Sequence, residues 1–94
     1  MLTDFDWDPV KATANLRKHG VSFGEAATAF GDPLGLDLPD EVHSSEEGRF
    51  LRLGCSYLGR LLVVAYTERR NRIRMISARR ATPRERRDYE QRRG

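Results

Sequence analysis

The sequence predicts a single α+β domain in which two N-terminal helices pack on an antiparallel sheet and a C-terminal helix follows the last strand. Its 94 residues are enough for one hydrophobic core, so residues 1–94 are assigned to one domain. Apolar residues recur at helical spacing near the N-terminus and alternate with polar residues in the middle of the chain. The turns between the alternating segments are too short for crossover helices, and these strands should therefore run antiparallel.

The first strand and the first helix are predicted from alternation and from capping residues. Residues 4–7 alternate polar and aromatic side chains, which is typical of a short strand. Asp8 is a typical N-cap residue and Pro9 is favoured in the first turn, so a helix should begin at Pro9. This helix should end at Lys18, just before Gly20.

A second helix is predicted immediately afterwards. Ser22 and Glu25 have the spacing of a capping box, in which each side chain caps the backbone N–H of the other residue. Glycine, aspartate and proline at positions 31–33 should end the helix. Four apolar residues recur at helical spacing and should face the core: Phe23, Ala26, Ala27 and Phe30.

Four further strands are predicted, over residues 34–38, 50–57, 61–67 and 72–76. Residues 61–67 are apolar on both faces, as expected of a central strand that is covered on both sides. An acidic, exposed loop is predicted over residues 39–48. One face of the second of these strands should carry Leu51, Leu53, Cys55 and Tyr57.

Three start signals predict that the C-terminal helix begins at Pro83. Thr82 is a typical N-cap, Pro83 is favoured at the first helical position, and Glu85 is the capping-box acid. Tyr89 is its only apolar side chain, so burial of an apolar stripe cannot be its main stabilisation. Intrahelical ion pairs contribute only about 0.2–0.5 kcal/mol each. A partner surface is expected to contribute the rest.

The charge of the chain is strongly asymmetric. Residues 1–68 carry 6 Lys and Arg against 11 Asp and Glu, a net charge of −5, whereas residues 69–94 carry 11 Arg against 3 acids, a net charge of +8. Arginine binds phosphate or carboxylate through two parallel hydrogen bonds. The pattern indicates a polyanionic or acidic protein partner, unless the arginines form only a solvated face.

Composition argues against several classes of protein. The uncharged run from Leu61 to Thr67 is far shorter than the roughly 20 residues that cross a bilayer, and the acidic N-terminus is unlike a secretory signal. The single cysteine, Cys55, allows neither an internal disulfide nor a cysteine-based zinc cluster. Neither a metal nor a cofactor is expected, because the chain has no glycine-rich phosphate loop or HExxH motif. The expected location is the cytoplasm.

Two blocks of sequence resemble the signature blocks of the BrnT toxins, the family formerly called domain of unknown function 497. The blocks comprise residues 5–11, Asn15 and 17–23, and then residues 66–69 and 73–81. They occur in the order and at the separation that the family shows. Met75, where isoleucine is common, and Arg70-Asn71, where a glycine-containing turn is more usual, depart from the family pattern.

The resemblance implies a RelE/ParE-like fold and a ribonuclease toxin of a bacterial type II toxin–antitoxin pair. It also implies neutralisation by an antitoxin called BrnA, which has a ribbon-helix-helix DNA-binding domain. The complex would repress its own operon, so operator DNA would be bound only through the antitoxin. We therefore expect a metal-independent endoribonuclease that cleaves RNA by 2′-hydroxyl attack and inhibits translation. The alternative is a non-catalytic arginine-rich module that binds nucleic acid or an acidic protein.

RNA cleavage without a metal requires a base near the 2′-hydroxyl, positive donors around the scissile phosphate and an acid for the leaving 5′-oxygen. Arg72 and Arg74 alternate along the last strand and should share a face, with Arg79 just beyond it and Arg69 across the preceding turn. Arg74 and Arg79 are expected to contact RNA phosphate. The alternative is that one or two of these arginines only hold acidic residues in place.

The candidates for proton transfer are fewer. His19 is the only histidine expected to act as a general acid or base, because imidazole is suited to proton transfer, but a structural role at a helix C-terminus explains it equally well. Glu68 can act as the base or orient an arginine, whereas His43 should be inert. Tyr89 can stack on a nucleobase or anchor the C-terminal helix. The other candidates for RNA binding are Lys18, Arg72 and Arg80, and those for antitoxin binding are Arg84 and Arg87.

Overall fold

The computed structural model describes residues 4–42 and 48–93, without the side chain of Arg93. Residues 43–47 of the predicted acidic loop, including His43, lie outside these ranges. The elements in chain order are β1 Phe5–Asp6, α1 Pro9–His19, α2 Phe23–Thr28, β2 Leu36–Pro39, β3 Arg49–Cys55, β4 Leu61–Arg69, β5 Arg72–Arg80 and α3 Pro83–Arg93. A short 3-10 turn over Ala29–Gly31 follows α2.

The two ends of α1 use the residues that the sequence predicts. The Asp8 carboxylate accepts a hydrogen bond from the Val10 N–H at 2.8 Å. Gly20 adopts the left-handed conformation, with φ 69°, and its N–H donates to the Leu16 carbonyl. Asn15 then joins α1 to β5, because its buried side chain bonds both the N–H and the carbonyl of Ala78.

Half of the predicted capping box at α2 is present. The Ser22 hydroxyl accepts from the Glu25 N–H at 2.9 Å. The Glu25 carboxylate instead accepts hydrogen bonds from Ser56 and Arg60. The helix ends at Thr28 rather than continuing to the predicted stop, and the 3-10 turn carries the chain onward.

The sheet is mixed, so the prediction of an antiparallel sheet is wrong for one strand. Its strand order is β1-β5-β4-β3-β2. The pairs β2–β3, β3–β4 and β4–β5 are antiparallel, but β1 runs parallel to β5. Short turns require antiparallel pairing only between strands that are consecutive in sequence. The strands β1 and β5 are separated by all the other strands and by two helices, so they can pair in parallel.

Helices cover the two faces of the sheet unequally. The helices α1 and α2 pack on one face, here called the helix side, and α3 packs on the other, here called the opposite face. The helix-side core contains Val21, Phe23, Ala26, Ala29, Leu62, Val64, Tyr66, Ile73, Met75 and Ala78. The opposite face has a smaller cluster of Leu53, Leu61, Val63 and Tyr89. As predicted, the central strand β4 is buried on both faces over residues 61–67.

The prediction that Tyr57 continues the inward face of β3 is wrong. The strand ends at Cys55, which is half-buried against the smaller cluster, whereas Tyr57 is 72% exposed. A tight turn closes immediately after the strand, since the Gly59 N–H donates to the Ser56 carbonyl. The turn removes Tyr57 from the strand alternation.

A β-bulge interrupts the pairing of β4 with β5. Ala65 pairs with Ser77, whereas the next residue, Tyr66, pairs with Met75. Ile76 is therefore an extra residue in β5, and the alternation of faces changes at this point. The strand also continues to Arg80, four residues beyond its predicted end. None of the helices in the described ranges is long and apolar enough to cross a membrane.

Candidate functional site

The opposite face of the sheet is covered by α3 at one end only. At the covered end, Tyr89 of α3 packs against Leu53, Leu61 and Val63. At the other end, here called the open end, Arg74 pairs with Asp6 of β1 and with Thr67 of β4. Residues that pair directly across strands share a face, so these side chains all belong to the opposite face.

The open end gathers arginines around a cavity. The Arg74 guanidinium donates to Asp6 Oδ2 at 2.7 Å, and both side chains are partly exposed, at 32% and 43%. Arg69 pairs with Arg72 across the hairpin that joins β4 to β5. A cavity of about 570 Å³ at this end is lined by Asp6, Arg69, Arg70 and Arg72. Such a concave group of guanidinium donors is suited to a phosphate-bearing ligand.

The hairpin turn itself has a demanding backbone. Arg70 and Asn71 both adopt positive φ, at 52° and 65°. A two-residue turn with positive φ at both positions matches the right-handed twist of its strands. Asn tolerates this conformation and Arg does so less readily. The turn predicted at these residues is therefore present without glycine, and it places Arg70 at the cavity.

Arg79 is held by α3 at the covered end. Its two terminal nitrogens donate to the two Glu85 carboxylate oxygens at 2.8 and 2.9 Å. The hydrogen bonds from Arg79 lower the pKa of Glu85 to about 2. Thr82 and Glu85 also form the predicted reciprocal capping box, because each side chain accepts the other's N–H. Arg79 therefore carries part of the attachment of α3.

The two ends are separated along the sheet. Arg74 pairs with Thr67 and Arg79 pairs with Val63, so four residues of β4, or about 13 Å, lie between them. The bulge at Ile76 places both arginines on the opposite face, although their odd spacing would put them on different faces of a regular strand. The predicted arginine cluster is therefore on one face but divided between two ends.

Four of the predicted site residues lie on the helix side. Glu68 pairs with Ile73 and Arg80 pairs with Leu62, and both partners belong to the helix-side core. Lys18 and His19 form the end of α1, which packs on the same side. The structure therefore does not bring Glu68 or His19 to the opposite face, on which Arg74 and Arg79 lie, and their catalytic roles stay predictions.

The prediction that Tyr89 binds RNA needs correction. Its side chain is only 5% exposed, and its hydroxyl donates to Asp32 Oδ2 at 2.6 Å. Burial and the hydrogen bond to Asp32 raise the pKa of Tyr89 above its ordinary value. A ring in this position cannot stack on a nucleobase, and it anchors α3 instead. Arg84 and Arg87 are exposed on the same helix, as a partner-binding role requires.

The sequence reasoning missed Asp6. Alternation in residues 4–7 places its side chain away from the aromatic residues that face the core. The alternation shows on which face of the sheet Asp6 lies, but it does not show that Arg74 is its partner. The contact with Arg74 depends on the parallel pairing of two strands whose contacting residues are 68 positions apart.

Two arginines outside the C-terminal quarter have structural partners on the helix side. Arg60 forms an ion pair with the buried carboxylate of Glu25, and the hydrogen bond from Arg60 lowers the pKa of Glu25. Arg52 donates to Asp37 at 2.8 Å and to the Asp32 carbonyl at 2.7 Å. Both contribute to packing.

Across residues 4–42 and 48–93, no group of three His, Cys, Asp or Glu side chains is arranged to hold a metal ion.

Comparison with known proteins identifies the family and supports the fold. The family described as the ribonuclease toxin BrnT of type II toxin–antitoxin systems matches residues 7–85. The crystal structure of the Brucella abortus ribonuclease toxin BrnT has the same α+β fold, with a TM-score of 0.66 and 20% sequence identity. The alignment covers 85% of this chain and 99% of the Brucella chain. No curated protein sequence matches the chain.

Proposed function

Since this chain belongs to the BrnT family of ribonuclease toxins of type II toxin–antitoxin systems, we propose that it cleaves RNA at the open end of its sheet. The observation that carries this proposal is the cavity lined by Arg69, Arg72 and Asp6, with Arg74 bound to Asp6 beside it. The reaction is attack of a ribose 2′-hydroxyl on the adjacent phosphate, without a metal. The products are a 2′,3′-cyclic phosphate and a 5′-hydroxyl, and loss of the RNA inhibits translation.

The arginines at the open end supply the electrostatic part of catalysis. Negative charge builds up on the phosphate oxygens as the 2′-oxygen attacks, and fixed guanidinium donors stabilise that charge. One well-placed donor contributes about 3 kcal/mol to the stability of a transition state. Arg69, Arg72 and Arg74 lie where the sheet face is not covered by α3, so RNA can approach them.

The test is cleavage by protein purified free of its antitoxin and assayed in EDTA. We expect a single-stranded RNA to be cut and mass spectrometry to find 2′,3′-cyclic phosphate ends. A control strand with 2′-deoxyribose at every position should stay intact, because it lacks the 2′-hydroxyl nucleophile. If the ribose-containing RNA also stayed intact, the proposal would be rejected. If that RNA still bound with a salt dependence near −0.7 per phosphate neutralised, the protein would be a non-catalytic arginine-rich module.

The same proposal assigns a partner and a location. A type II system pairs the toxin with an antitoxin, and we propose one like BrnA, with a ribbon-helix-helix domain that carries the complex to operator DNA. The exposed Arg84 and Arg87 on α3 are its proposed contacts. Charge reversal, Arg84→Glu with Arg87→Glu, should weaken co-purification, whereas unchanged affinity would place the antitoxin elsewhere. Cleavage of translated RNA requires a cytoplasmic location.

A further inference from the structure

We propose that Asp6 is the general base of this ribonuclease and that its carboxylate accepts the proton of the ribose 2′-hydroxyl. The inference rests on the proposed function, because it assigns a step of that reaction. Asp6 lines the same cavity as Arg69, Arg70 and Arg72. A base for the 2′-hydroxyl must lie within hydrogen-bond reach of the nucleotide whose phosphate the donors hold. Asp6 meets this requirement by position.

The other carboxylates near this face are less suited to the role. Glu68 projects on the helix side, since its cross-strand partner Ile73 belongs to that core. Asp40 lies beside Arg49, to whose carbonyl its N–H donates, but it is only 8% exposed. Glu85 is bound to both terminal nitrogens of Arg79 at the covered end. Asp6 is 43% exposed and can therefore meet a ribose.

The contact with Arg74 leaves half of the carboxylate available. Asp6 Oδ2 accepts from Arg74 at 2.7 Å. Within the described residues, no hydrogen bond reaches Oδ1. A charge-assisted bond of this length restricts the rotation of the carboxylate. Arg74 is thus placed to hold the base with one nitrogen while its remaining donors face the phosphate.

The step balances without any further cofactor. The 2′-hydroxyl proton passes to Asp6, the 2′-oxygen forms a bond to phosphorus, and the bond from phosphorus to the 5′-oxygen breaks with its electron pair on the 5′-oxygen. A solvent water protonates the leaving 5′-oxygen and becomes hydroxide. That hydroxide takes the proton from Asp6, which restores both the water and the carboxylate.

The deciding variant is Asp6→Asn, which keeps an oxygen acceptor for Arg74 and removes the base. Loss of a general base lowers the rate by about 10²- to 10⁴-fold. We therefore expect single-turnover cleavage to fall at least 100-fold. Binding to an RNA with one 2′-deoxyribose at the cleavage position should be unchanged or tighter, because a negative charge leaves a site that binds phosphate. Asp6→Glu should recover part of the rate, since it restores a carboxylate.

Asp4→Asn is the matched control. It removes the same charge two residues earlier, from an exposed residue that does not line the cavity, and should leave cleavage within threefold of the unmodified protein. Thermal melting checks that each variant folds. If the unmodified protein cleaves but Asp6→Asn retains its rate, the assignment of Asp6 is wrong. A loss of affinity equal to the loss of rate would make Asp6 a positioning residue for Arg74. No cleavage by the unmodified protein would instead refute the proposed function.

Discussion

The two ends of the opposite sheet face carry the same type of residue in different surroundings. At the open end, Arg74 contacts one oxygen of the partly exposed Asp6. At the covered end, Arg79 contacts both oxygens of Glu85, and α3 lies over the sheet beside it. Arg74 can keep its single bond to Asp6 and still offer donors to a phosphate, whereas Arg79 would have to release Glu85 of α3. The number of arginines therefore indicates a polyanion, but only their partners distinguish the two ends, and the proposed site lies where the arginine is held less tightly.

The sharpest test of this difference compares Arg74→Ala with Arg79→Ala in single-turnover RNA cleavage. Removal of one preorganised donor typically costs 10²- to 10³-fold, or about 3–4 kcal/mol. We expect a loss of this size for Arg74→Ala. Arg79→Ala should lower the rate less than tenfold, because its guanidinium is bound to Glu85. Equal losses would show that both ends contact the reacting phosphate and that the division is not functional.

The covered end should respond most in stability. Tyr89→Ala removes a buried ring from the smaller cluster and should lower the free energy of unfolding by about 3 kcal/mol in urea titrations. Tyr89→Phe keeps the ring and removes only the hydrogen bond to Asp32, so its loss should be about 1 kcal/mol. Similar values for the two variants would mean that the hydroxyl, rather than the ring, attaches α3.

A smaller effect is expected from acid. The pKa of Glu85 is about 2 in the folded protein, below its ordinary value of 4.5. Because the pKa of Glu85 is lower in the folded protein, its ionisation stabilises the fold at pH values above about 4.5. This stabilisation is lost as the pH falls from about 4.5 towards 2. Because both partners are partly exposed, the contribution is about 1 kcal/mol.

The matched measurement is the pH dependence of urea unfolding for Glu85→Gln. The difference in the free energy of unfolding between Glu85→Gln and the unmodified protein should shrink as the pH falls from about 4.5 towards 2. Glu90→Gln, on an exposed position of α3, should follow the unmodified protein throughout. A constant difference for Glu85→Gln across the window would contradict the ion pair as its source.

Local chemistry predicted much of the fold correctly. Asp8, Pro9 and Gly20 bound α1 because capping involves residues that are close in sequence. The two-sided burial of residues 61–67 follows from an apolar run that no half-exposed strand tolerates. Alternation likewise placed Arg72 and Arg74 on one face. Likeness to the RelE/ParE fold stays a prediction.

The amino-acid sequence by itself determined the elements, the charge asymmetry and the family blocks, because each depends on neighbouring residues. Only the tertiary structure decided which side chains meet. Any strand could have paired with the free edge of β5, and the pairing with β1 is what brings Asp6 to Arg74. The bulge at Ile76 reverses the face of every later residue in β5, so Arg79 meets Glu85 of α3. Hydrogen bonding along a strand edge does not depend on side chains, and local sequence therefore leaves these contacts open.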